Sequence, residues 1–124
     1  MIQDFTLEQI KAIHDHIISK YGGQQGILYE ATLEHLLMIL ESCPDPARKA
    51  ATIIHCIAAR SPFIDGNKRT AFEVANILLI TYKRTIVVDN KDLVTFMLLV
   101  ADNKKTIFEV EEWIHSHLQP LDFT

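Results

Sequence analysis

The residues with the clearest chemical potential lie in the stretch "ARSPFIDGNKRTAFEVANILL", Ala59 to Leu79, where Lys68 and Arg69 follow Gly66 and Asn67 just as an apolar helix begins. Two cations at a helix start oppose the positive end of the helix dipole, so their placement predicts an anionic ligand. The first turn of a helix also leaves backbone N–H groups without partners, and together with the dipole these form an anion site. Gly66 lacks the Cβ that would hold a phosphate away from the backbone, and Asn67 can either orient the loop or donate its amide to a phosphate oxygen. Asp65, beside the cations, is the candidate Mg²⁺ ligand, because Mg²⁺ on nucleotides is usually held by one or two carboxylates plus phosphates. The loop reads as a site for a nucleotide polyphosphate with Mg²⁺, ATP or another nucleoside triphosphate. The plainer alternative is a turn at Asp65 and Gly66, a helix capped by Asn67 and two solvated charges.

Other candidate ligands have weaker spacing. "HDH" at His14 to His16 is similar to the His-Asp doublet of metal phosphohydrolases, but such sites need further ligands from separate helices, and nothing fixes His35 or Asp102 in that role. A surface or core-edge place is expected for His14 and His16. His115 and His117 point to different faces of one helix and are expected to be solvated. Trp113 falls on an apolar stripe and is expected in the core.

The elements that must position the loop are legible as helices. Thr6 with Gln9 forms a capping box, Phe5 staples onto Ile10, and Leu7, Ile10, Ile13, Ile17 and Ile18 recur at helical steps until Gly22 and Gly23. Leu33, Leu36, Leu37 and Leu40 mark a second helix. Asp45 caps a third, with Pro46 in its first position, running to Arg60. Pro62 forces Ser61 out of the helical region towards an extended conformation, so Ser61 to Gly66 is a loop between two helices. From Asn67 the fourth helix is apolar around most of its circumference, which predicts that it is the buried central one. "RTIVVD" is β-branched but too brief to build a sheet by itself. Asp89 or Asn90 caps a fifth helix, and Thr106 with Glu109 opens a sixth through Val110, Trp113, Ile114 and Leu118. The predicted fold is all-α, a compact bundle of about six helices.

Length and composition set outer bounds. The 124 residues hold one domain's worth of core, so residues 1–124 are expected to form a single domain. A net charge of −4 argues against non-specific nucleic-acid binding. Cys43 and Cys56 have no metal-ligand spacing and read as free thiols of a reducing compartment. No basic leader precedes an apolar run and no stretch is long enough to span a membrane, so the expected location is the cytoplasm.

"SPFIDGNKRTA" resembles the signature loop of the Fic/Doc family, His-Pro-Phe-x-Asp/Glu-Gly-Asn followed by Gly or Lys and a basic residue. Phe63, Asp65, Gly66, Asn67, Lys68, Arg69, Thr70 and Ala71 all fit it. The segment "AIHDHIISKYGGQQGILYEATLEHLL" is similar to the Doc branch, with its Gly-Gly-x-x-Gly loop after the first helix and a Leu-Glu pair in the second. Fic-type AMP transferases have Gly where this chain has Lys68, and a second Arg where it has Phe72. The Doc resemblance implies the lysine, and with it transfer of the terminal phosphate of ATP to a target hydroxyl. It further implies a protein target of the translation elongation factor class and a small antitoxin whose tail folds onto the toxin.

The departure is at Ser61, where the family has a histidine that serves as general base or phosphate acceptor. A serine hydroxyl cannot take a proton near neutral pH as an imidazole does, and the resemblance therefore implies impaired catalysis, with Ser61, Asp65 and Lys68 at the catalytic positions. His55 lies well around the third helix from Ser61 and is a poor substitute; Asp65 is the better one unless metal occupies it. No inhibitory Ser/Thr-x-x-x-Glu-Gly/Asn pattern occurs in the sequence, so control is expected from a separate polypeptide.

Overall fold

Helix caps decide where the elements start in the computed structural model, which describes residues 4–121. Thr6 and Gln9 exchange both capping-box hydrogen bonds at the head of α1 (Leu7–Tyr21), and α2 (Glu30–Glu41) follows the glycine loop. The Asp45 carboxylate accepts the Arg48 N–H to open α3 (Pro46–Arg60). A loop from Ser61 to Gly66 leads into α4 (Asn67–Thr81). Asp89 caps α5 (Asn90–Ala101), and the Thr106–Glu109 box caps α6 (Ile107–His117). In that box the Thr106 backbone N–H holds the Glu109 carboxyl below its ordinary range. Among the described residues these six helices are joined by a single two-stranded sheet, so the fold is all-α.

The β-branched segment does need a partner. Arg84–Ile86 (β1) pairs antiparallel with Leu118–Pro120 (β2), Ile86 opposite Leu118. This shortens the sixth helix by one residue against expectation: Leu118 leaves the helical region because its backbone is claimed by Ile86.

The expectation that the fourth helix is the central one is corrected to the third. α3 packs against α2, α4, α5 and α6, burying Ala47, Ala50, Ala51, Ile53, Ile54, Ile57 and Ala58. Its alanines let α4 approach closely, through Ala71, Val74, Ala75, Leu78 and Leu79. The apolar residues on the remaining circumference of α4 do not all reach the core: Phe72 and Ile77 are half-buried and Ile80 is exposed. α3 and α4 form a helical hairpin, which brings the end of the first and the start of the second to one end of the bundle. Trp113 is half-buried and stacks on Phe96, ring centroids 4.1 Å apart. No helix among the described residues is long and apolar enough to cross a membrane.

Candidate functional site

The loop between α3 and α4 is tied down from three directions. Ser61 ends α3 with φ 47° and ψ 62°, its N–H donating to the Ile57 carbonyl at 3.1 Å. This left-handed cap replaces the extended conformation expected before Pro62, because it lets Ser61 satisfy a carbonyl of the last helical turn. The Pro62 carbonyl accepts the Leu28 and Tyr29 N–H groups at 2.7 and 3.0 Å, and the Ile64 N–H donates to the Gly26 carbonyl at 3.1 Å. Ile27 and Phe63 thus form an antiparallel bridge, and the segment after the double glycine is a backbone edge that grips the loop. Gly26 is required there: its φ is 133°, and a Cβ would lie 2.7 Å from Ile64 Cδ1.

Asn67 closes the loop from the other side. Its Oδ1 accepts the Phe63 N–H at 3.0 Å and its Nδ2 donates to the Phe63 carbonyl at 2.9 Å. Of its two possible roles the side chain takes the orienting one, which leaves the helix start with its backbone N–H groups and the two cations.

Those groups are uncommitted among the described residues. Gly66 is the N-cap of α4, with φ 77° and no side-chain hydrogen bond, and the first turn contains no acid. Among the described residues the N–H groups of Asn67, Lys68 and Arg69 have no hydrogen-bond partner, while the Thr70 N–H returns to the Gly66 carbonyl at 2.9 Å. Lys68 and Arg69 are exposed and, among the described residues, pair with no carboxylate. The Arg69 guanidinium sits 4.2 Å from the centre of the Tyr21 ring. A cleft of about 500 Å³ opens beside them, with Gly66 to Arg69 at one end and Tyr21, Phe72, Leu93 and Met97 among its apolar walls. The arrangement can hold an anion at the helix start with an apolar group alongside.

The remaining residues singled out by sequence are placed less simply. Asp65 is exposed, its Oδ2 accepts the Gln24 N–H at 2.8 Å, and it does not line this cleft. The carboxylate that does is Glu73, on the same face of α4 as Arg69, which no motif signalled. Asp65 keeps its other oxygen uncommitted among the described residues. Ser61 is exposed at the same end of the bundle and lines neither this cleft nor the smaller one beside Lys11 and Gln25. His55 is nearly two turns back along α3, about 9 Å along the helix axis from Ser61, and lines neither. Cys43 and Cys56 are free thiols, and burial pushes the Cys56 thiol up.

Two histidines depart from expectation. His14 is buried, stacked flat on Phe63, because it shares the α1 stripe of Ile10, Ile17 and Ile18. That stripe was the signal available in the sequence. His117 is half-buried, its Nδ1 2.8 Å from the Trp113 carbonyl one turn back, whereas His16 and His115 are exposed. One group among the described residues, Asp45, Glu111 and His115, brings potential ligand atoms within 4.8 Å of one another. It lies at the far end of α3, and Arg48 already pairs with Glu111 there, which makes it an ion-pair cluster.

No curated protein matches the sequence. A family model described as Fic/DOC family matches residues 4–79, which run from the lead into α1 through most of α4 and include the whole clasped loop. That span is more than half of the 124 residues, and the chain belongs to the Fic/DOC family.

Proposed function

We propose that the protein is a Doc-type member of the family, which holds ATP with Mg²⁺ at the start of α4 and passes the terminal phosphate to a hydroxyl of a protein target, weakly, because Ser61 stands where the family has its histidine. The observation that carries this reading is the open first turn of α4, with Lys68 and Arg69, unpaired among the described residues, facing a cleft of nucleotide size. Lys68 and Phe72, in place of the Gly and second Arg of AMP transferases, favour phosphate transfer over AMP transfer.

In this reading the target oxygen bonds to the γ-phosphorus, the bond from that phosphorus to the β-γ bridging oxygen breaks, and ADP leaves. The N–H groups at the helix start and the side chains of Lys68 and Arg69 bind the phosphates and offset the charge that moves onto them. Asp65 is the residue that would hold Mg²⁺, which would supply further neutralisation of that charge. With no imidazole at position 61 to receive it, the hydroxyl proton passes to solvent water, and this is the step that slows. A target of the elongation factor class and a small antitoxin follow from the Doc resemblance, and two free thiols favour a cytoplasmic setting. Co-purification with the product of a neighbouring reading frame tests the antitoxin; two chains that never associate would remove it.

Labelled ATP tests the reaction. With a cell extract and this protein, label in the γ position is expected on a protein and label in the α position on none. Transfer of α label would make the protein an AMP transferase, and ATP binding with no transfer at all would leave it a nucleotide-binding module.

A further inference from the structure

We infer that His14 is the positioning residue of the anion loop: its imidazole fixes the plane of the Asp65–Gly66 peptide and so aims the Gly66 N–H into the phosphate site. His14 belongs to α1, far from the loop in sequence, and is only 1% exposed. Its Nε2 lies 2.7 Å from the Asp65 carbonyl oxygen. A carbonyl can only accept, so Nε2 carries the hydrogen. The ring cannot swivel to break this bond, because it lies on Phe63 with centroids 3.8 Å apart and planes within 7°. Phe63 is itself held by both ends of the Asn67 amide.

The consequence runs through the peptide plane. Among the described residues every peptide bond is trans, and in a trans peptide the C=O and N–H point opposite ways. Drawing the Asp65 carbonyl inward to His14 therefore turns the Gly66 N–H outward, where it has no hydrogen-bond partner among the described residues. Gly66 is left-handed at φ 77° and Asn67 begins the right-handed helix, an alternation that makes successive N–H groups converge on one anion. The site then has consecutive donors from Gly66 to Arg69 instead of starting at Asn67. A side chain at position 66 would disturb the arrangement directly, since its Cβ would lie 3.0 Å from Ile18 Cδ1 and 3.7 Å from His14 Nε2. His14 does not serve as the missing base: Nε2 is committed as a donor, and Nδ1 faces Asp15, 4.0 Å from its carboxylate.

The phosphate consequence rests on the nucleotide reading above, but the loop geometry does not, and the experiment separates them. In the full chain, nitrogen NMR is expected to show His14 as the Nε2–H tautomer with a slowly exchanging hydrogen. An Nδ1–H tautomer, or exchange as fast as that of the exposed His16, would overturn the inference. His14→Phe keeps the stacked ring and removes the donor, while His14→Gln returns an N–H at similar reach. His14→Phe is expected to speed amide exchange at Ile64 and to weaken ATP·Mg²⁺ binding roughly tenfold, with His14→Gln recovering most of both. Wild-type affinity and wild-type exchange in His14→Phe would refute the positioning role. If the unaltered protein binds no ATP, the nucleotide reading fails, and the tautomer and exchange data decide His14 alone.

Discussion

Replacing Ser61 by His is expected to raise phosphate transfer to the protein target by about 10²-fold or more, the usual worth of a positioned general base. The rest of the loop is already built: the Gly26–Tyr29 edge grips Pro62 and Ile64, Asn67 clasps Phe63, and Lys68 and Arg69 wait at the helix start. The Ser61 side chain is exposed, and among the described residues the position holds the loop through its backbone N–H. Its left-handed conformation suits the change, since histidine is among the residues enriched there. Transfer from γ-labelled ATP, compared between the two proteins with the same target preparation, is the measurement, and unchanged ATP affinity is the folding control. A variant that binds ATP as before and transfers no faster would take away the main support for the kinase-like reading.

Lys68→Ala combined with Arg69→Ala is expected to weaken ATP·Mg²⁺ binding by about 10²-fold or more. Hydrogen bonds to charged groups contribute roughly 1.5–3 kcal/mol each, so the loss of two is about two to four times the tenfold step of about 1.4 kcal/mol. The fold should not suffer, because neither side chain pairs with a carboxylate among the described residues. The contact of Arg69 with the Tyr21 ring is an exposed cation–π pair of about 0.5–1 kcal/mol. Calorimetry gives the affinity and a thermal melt the stability. Equal affinity in the doubly substituted protein would move the nucleotide away from α4.

What the sequence makes legible is local. Capping boxes at Thr6 and Thr106, the Asp45 and Asp89 caps and Pro46 at the first helical position all act within one turn, so their partners are neighbours in the chain. The cations at the start of α4 are legible for the same reason. The stripe of α1 signals that His14 faces inward but not what it meets, because its stacking on Phe63 and its bond to the Asp65 carbonyl depend on α1 meeting a loop some fifty residues later. The Gly26–Tyr29 edge and the pairing of β1 with β2 likewise require partners brought together only by the fold. So does the buried Lys49: burial pulls its ammonium pKa down, but hydrogen bonds to Asp4 and Tyr82 outweigh this and hold it above its ordinary value. Apolar periodicity misplaced the hub for a related reason. It counts apolar side chains, whereas the small side chains of α3 decide how closely its neighbours approach.

The most direct test of the central claim is a backbone NMR titration of the unaltered protein with ATP and Mg²⁺. The largest shifts are expected at the Gly66, Asn67, Lys68 and Arg69 amides, with a second group at Tyr21, Phe72, Leu93 and Met97 along the cleft. Spectra that stay unchanged at millimolar nucleotide, or shifts confined to residues outside this cleft, would contradict it.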